Sequence, residues 1–216
     1  METVAGVVAI VGIVAHTLAW RLVARGRDVW RTMPPLFAVL GVVSAVLLPS
    51  IAAREPAADD GFGASAQIVI GVVTGAGLFV ATRIFVAVVG RFAAFARDTR
   101  DAYRQAGTVP TAAAFGLSIV VVALGEEVFW RGLVYGVGVQ RGLSIGGAGI
   151  VGWVLYVLAN RPSRLQPIIA ASIVGGALWI GLAWWTGGIL ASIASHMLWT
   201  GLMLGFPPGS SRAEVV

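Results

Sequence analysis

The chain has 216 residues, of which 58% are hydrophobic and only 12% charged, with a mean hydropathy of +0.89. A soluble domain of that length carries roughly 25% charged residues, so composition excludes a water-soluble globule and predicts an all-α, polytopic transmembrane helical bundle. With no cysteine in the chain, disulfides, thiolate nucleophiles and Cys-ligated metals are excluded as well.

All fifteen cationic residues are arginines, which brings the pI to about 11.0. They stand in short clusters between apolar runs and form no long basic face interleaved with aromatics, so the excess of positive charge indicates membrane topology and not a nucleic-acid partner.

A helix needs ~20 residues to cross the hydrocarbon core. Seven stretches are predicted as spans: 4–20, 34–53, 64–90, 111–139, 145–160, 167–184 and 187–205. A break of the long fourth stretch near Gly132 or Gly136 would make eight. The first stretch has only Glu2 before it and Arg21, Arg25, Arg27 and Arg31 after it. That is the reverse of a signal peptide, and it predicts a retained span. Between the third and fourth spans, 91–107 places Phe92, Phe95, Ala96, Ala102, Tyr103 and Ala106 roughly on one helical face. It reads equally as a surface-lying amphipathic helix or as a charged connector.

An outside N-terminus puts Arg21, Arg25, Arg27, Arg31, Arg91, Arg97, Arg100, Arg104, Arg161, Arg164 and Arg212 on one side. Only Arg54 and Arg141 fall on the other, with Glu55, Asp59 and Asp60 beside the first. The positive-inside rule then predicts an outside N-terminus and a cytoplasmic C-terminus in a bacterial cytoplasmic membrane. Residues 1–216 read as a single membrane-embedded domain.

Ionisable groups at membrane depth are expensive and need a reason. The main cluster lies in the middle of the fourth span, at Gly125-Glu126-Glu127-Val128-Phe129-Trp130-Arg131-Gly132. Glu127 and Arg131 are four apart and share a helical face, so they are expected to pair. Glu126 is turned about 100° away. A carboxylate without that partner is the one free to exchange a proton, as a general acid or base must. On spacing alone, a charge cluster that only locks helices together is equally compatible. In the last span, His196 lies at a depth similar to that of Glu126, with Thr200 one turn later. Tyr156 and Asn160, also four apart, would ordinarily anchor a helix near an interface. Arg83 is expected to snorkel to the surface, and His16 has no evident partner in the sequence.

The order Glu126-Glu127-x-x-x-Arg131, then Gly187-Gly188-Ile189-Leu190 and Ala194-Ser195-His196-Met197-Leu198-Trp199, resembles the CAAX-protease and bacteriocin-processing (CPBP, or Abi) intramembrane endopeptidases, over about residues 111–205. The resemblance implies that Glu126 activates the attacking water, that Glu127 and Arg131 are its structural companions, and that His196 contributes to oxyanion stabilisation. It implies no metal and no other cofactor. Two positions depart from the family pattern. Asn160 stands where the second motif has histidine, four residues after the aromatic Tyr156, and Thr200 stands where the third motif has asparagine. An amide orients water by hydrogen bonding but accepts no proton as a base; Thr200 keeps a hydroxyl donor.

Two functions follow. One is an endopeptidase in the lipid bilayer, acting on a peptide or membrane-protein substrate through Glu126, His196, Thr200 and Asn160. The other is a catalytically inactive relative that serves as a membrane binding or scaffolding protein. A transporter using Glu126 as a proton relay fits less well, because no paired discontinuous helices stand in matching halves. Substrate identity, prenylation and oligomeric state are not encoded in any of these patterns.

Overall fold

The computed structural model describes residues 2–52 and 62–208. Arg54, Glu55, Asp59, Asp60 and Arg212, used above in the charge comparison, lie outside the described residues. The fold is an all-α bundle with no strand among the described residues. In chain order the helices are α1 (Glu2–Val23), α2 (Met33–Ala52), α3 (Ala64–Val89), α4 (Ala93–Ala106), α5 (Thr111–Gln140), α6 (Ile145–Asn160), α7 (Gln166–Thr186) and α8 (Leu190–Gly205). Four of them, α1, α3, α5 and α7, are long and apolar enough to cross a membrane, and Met33–Pro49 and α8 are shorter apolar helices.

Local chemistry sets the helix ends. The Ser144 hydroxyl accepts the Gly147 N–H at 3.1 Å and caps the start of α6. Pro167 opens α7 at a position where no intrahelical N–H is needed, and the chain leaves α7 through Gly187 at φ 70°, a left-handed turn open to glycine. α5 runs unbroken through Gly132 and Gly136, so neither glycine interrupts it. Its turns widen to π-helical ones over Gly116–Ala123 and Val128–Val134, and the four residues Leu124–Glu127 lie between these two stretches.

The segment between the third and fourth spans is a helix, α4, lying against the bundle. Phe95 is buried and the Tyr103 hydroxyl donates to the Met203 carbonyl on α8 at 2.9 Å. Asp98 accepts the Gln166 N–H at 3.2 Å, placing a carboxylate at the positive end of α7. Arg83 leaves α3 toward the chain end, where its Nη1 donates to the Phe206 carbonyl at 2.9 Å.

In a bilayer, lipid tails are as apolar as any side chain, so helices associate through close fit and polar contacts. The outer surfaces are studded with exposed aliphatics such as Val42, Val46, Val69, Val73, Ile84 and Val154, while small residues line the seams. Gly71 and Gly75, four apart on α3, meet Ala191 and Ser195, four apart on α8; a Cβ on Gly75 would lie 2.7 Å from the Ser195 carbonyl oxygen. α2 crosses α5 where Gly41 faces Gly125, and a Cβ on Gly125 would collide with the Phe37 carbonyl. That crossing fixes the backbone immediately before Glu126.

Gly75→Val is expected to destabilise the bundle by about 3 kcal/mol or more, as overpacking against backbone does, seen as a lower thermal midpoint in nanodiscs. Gly77→Val, on the same helix but with nothing within 4 Å of its Cβ position, should leave the midpoint unchanged.

Candidate active site

The two glutamates stand side by side in the short α-helical interval of α5 yet face different surroundings. The Glu127 side chain has no exposed surface. Its Oε1 accepts from Arg131 Nη1 at 3.1 Å and from His196 Nδ1 at 2.8 Å. A carboxylate accepts only, so the Nδ1 position of His196 carries the proton of that bond, leaving Nε2 as the free ring atom. The expected Glu127–Arg131 pair is present, and His196 joins it from α8. The histidine placed in the sequence at the depth of Glu126 is hydrogen-bonded to Glu127.

Arg131 is held on every side. Its Nη2 donates to the Gly176 carbonyl on α7 at 3.3 Å. Its guanidinium lies 4.5 Å from the centre of the Tyr156 ring and 5.4 Å from that of Trp179, two π faces that favour a cation. Trp179 also stacks on His196, centroids 3.7 Å apart and 18° from parallel. Gly176 has no room for a side chain, because a Cβ there would lie 2.9 Å from the Tyr156 ring.

Glu126 takes no part in this charge cluster's hydrogen bonds. Its Oε2 accepts the Tyr156 hydroxyl at 2.7 Å, and its side chain keeps some accessibility, with the residue 7% exposed against 0% for Glu127. Of the two glutamates, it is the one with residual accessible surface. Tyr156, taken from sequence as an interfacial anchor, is instead the ligand of the candidate base. The only signal for this in the sequence is its spacing of four from Asn160. Trp179 carries no sequence signal at all.

Asn160 is buried with both ends of its amide engaged: Oδ1 accepts the Trp20 indole N–H at 2.9 Å and Nδ2 donates to the Tyr156 carbonyl at 2.9 Å. The structure thus brings Asn160 to α1 and to the turn that carries Tyr156. Thr200 lies one turn beyond His196, in the wall of an almost wholly apolar cavity of about 530 Å³ between α3, α4, α5, α7 and α8. Trp199 shares that wall, its ring 5.8 Å from that of Trp179 and its indole N–H donating to Thr82 at 3.0 Å. The cavity wall therefore reaches the neighbourhood of His196 through Trp199, whose ring lies 6.3 Å from the imidazole, and through Thr200. Among the described residues, no three His, Asp or Glu side chains converge as a metal-ligand set.

Removing one partner of a fully buried ion pair leaves the other uncompensated, at about 3–5 kcal/mol. Arg131→Met should therefore lower stability by that order, measured by thermal or denaturant unfolding in nanodiscs. Glu126→Gln, whose amide oxygen still accepts from Tyr156, should leave stability within about 1 kcal/mol of the parent.

Residues 108–202 match the family model described as Rce1-like, type II CAAX prenyl endopeptidase. No curated protein and no solved structure matches the chain. The match covers Glu126, Glu127, Arg131, Tyr156, Asn160, His196 and Thr200, and it agrees with the CAAX-protease family that the motifs resemble: residues 108–202 of this integral membrane protein are similar to the Rce1-like, type II CAAX prenyl endopeptidase family.

Proposed function

We propose that the protein is a glutamate-dependent intramembrane endopeptidase in which Glu126 activates the water that attacks a peptide carbonyl. The observation that carries this reading is the division of labour between adjacent carboxylates. Glu127 is engaged by both Arg131 and His196, whereas Glu126, among the described residues, is tied through the Tyr156 hydroxyl alone and keeps residual accessible surface. A general base needs reach to its proton and a fixed orientation, and Tyr156 supplies the orientation.

The reaction follows from these positions. Glu126 takes a proton from water as the oxygen adds to the scissile carbonyl, giving a tetrahedral oxyanion. His196, with Nδ1 anchored on Glu127, in its protonated form offers Nε2–H to that oxyanion, and the Thr200 hydroxyl adds a second donor from the cavity side. Glu126 then returns its proton to the leaving amine, which balances the cycle. Asn160 positions the Tyr156 turn and, through its remaining amide proton, the water. Glu127 and Arg131 hold the imidazole in place and do not exchange protons.

The apolar cavity beside Trp199 and Thr200 is suited to an apolar part of a peptide or membrane-protein substrate. The prenyl group that the matching family's description names is one such part. We place the arginine-rich loops, with α4, on the cytoplasmic side, which puts the C-terminus there also.

Purified protein in nanodiscs, incubated with a diverse peptide mixture and read by mass spectrometry, should release fragments. Glu126→Gln should reduce cleavage by about 100-fold or more, the usual effect of losing a general base. Undiminished cleavage by that variant would overturn the assignment.

A further inference from the structure

α1 lies outside the matched segment 108–202, yet it packs directly against the candidate site. Trp20 holds Asn160, and one turn earlier on the same face stands His16. The His16 side chain is 0% exposed, and neither ring nitrogen has a hydrogen-bond partner among the described residues. Three aromatics from three helices enclose it: Phe37 of α2 edge-on at 5.0 Å between centroids, Trp130 of α5 at 5.8 Å and Tyr156 of α6 at 6.3 Å. The Trp130 indole N–H, next to it, is likewise buried and unpartnered.

A phenylalanine would fill this aromatic box at no polar cost. Burying an imidazole with both nitrogens unmet lowers stability, because each forfeits its hydrogen bonds to water. Such groups in a native structure call for an explanation, and function is one. The neighbour that connects His16 to chemistry is Tyr156, whose hydroxyl is, among the described residues, the one side-chain donor to Glu126. In a low-dielectric interior the dipole of the imidazole acts on the adjacent phenol with little screening, although no hydrogen bond joins them.

We infer that His16 is a positioning residue for Glu126, acting through Tyr156, so that α1 contributes an imidazole to a site whose second motif carries Asn160 in place of histidine. This rests on the reading of Glu126 as the catalytic base. His16 orients the phenol that orients the carboxylate; it does not touch the substrate. The arrangement exchanges fold stability for the setting of one hydrogen bond.

The test compares wild type, His16→Phe, His16→Met and Glu126→Gln in nanodiscs, by peptide cleavage, thermal unfolding and infrared spectroscopy of the Glu126 carboxyl band, assigned by its loss in Glu126→Gln. His16→Phe should unfold at the same or a higher temperature, lower kcat by about 10-fold or more with KM unchanged, and shift the Glu126 band. His16→Met serves the same purpose should the phenylalanine fail to fold. A residue that only packs would show the opposite pattern: lower unfolding temperature, unaltered kcat and an unmoved band. Wild-type kcat in His16→Phe together with a dead Glu126→Gln overturns the role of His16 and leaves the base assignment standing. Cleavage surviving in Glu126→Gln removes the base assignment itself. Where no variant cleaves the peptides, the band decides: a shift in His16→Phe supports the coupling and no shift overturns it.

Discussion

One shared carboxylate organises the core of this bundle. Glu127 is sealed from solvent and has a cation on one side and an imidazole on the other, both bonded to the same oxygen. An isolated ionised carboxylate in such a setting is prohibitively costly, so its partners must arrive in fixed positions. Arg131 comes from the same helix, one turn on. His196 comes from α8, and the Gly176 carbonyl that steadies Arg131 comes from α7. Two helices, α5 and α8, thus meet at one atom, and α7 is tied to it through Arg131. The aromatic plates of Tyr156 and Trp179 complete the enclosure by presenting π faces to the guanidinium, a contact that needs no further hydrogen bond. With Glu127 committed, its neighbour Glu126 is released for other work.

The precision of that arrangement depends on backbone approach at the small-residue seams. Gly125 touches the α2 backbone at Phe37, and Gly71 and Gly75 let α3 reach the α8 backbone at Ala191 and at Ser195, the residue before His196. Both crossings end within a residue of a site side chain. Larger residues at either seam would push the helices apart by roughly the width of a methyl group. A hydrogen bond between side chains of different helices does not survive such a displacement. Close packing in this membrane protein is therefore part of how the site is tuned, as well as how the helices cohere.

Much of this was legible in the sequence. The hydropathy runs gave the helices to within a few residues, and the spacing of Glu127 and Arg131 gave their pairing, because both are local properties of a helix. The segment 91–107 was legible as a surface-lying amphipathic helix or a charged connector, and it is a helix, α4, packed against the bundle. What periodicity does not carry is which distant face meets which. Depth alone suggested His196 for Glu126, but the lateral packing of α8 delivers it to Glu127. Tyr156 was hidden because an aromatic near a helix end is ordinarily an anchor. His16 was hidden because its significance depends on α1 lying against α6, a contact between residues 140 apart in the neighbouring Trp20–Asn160 pair.

The widened turns of α5 have a consequence for how this helix is compared with others. Where hydrogen bonds run to the fifth residue and not the fourth, each residue advances less than the ~100° of an α-helix. The stretches Gly116–Ala123 and Val128–Val134 therefore each shift the angular phase of everything beyond them. A helical wheel drawn straight through Thr111–Gln140 assigns the wrong neighbours at one end if it is correct at the other. Between the two slips, Leu124–Glu127 keeps ordinary α-helical register, so the direction of the paired glutamates relative to either arm differs from that on an uninterrupted α-helix. Substitutions that convert a widened turn to an ordinary one would rotate an entire arm of α5 while leaving every residue of the motif in place.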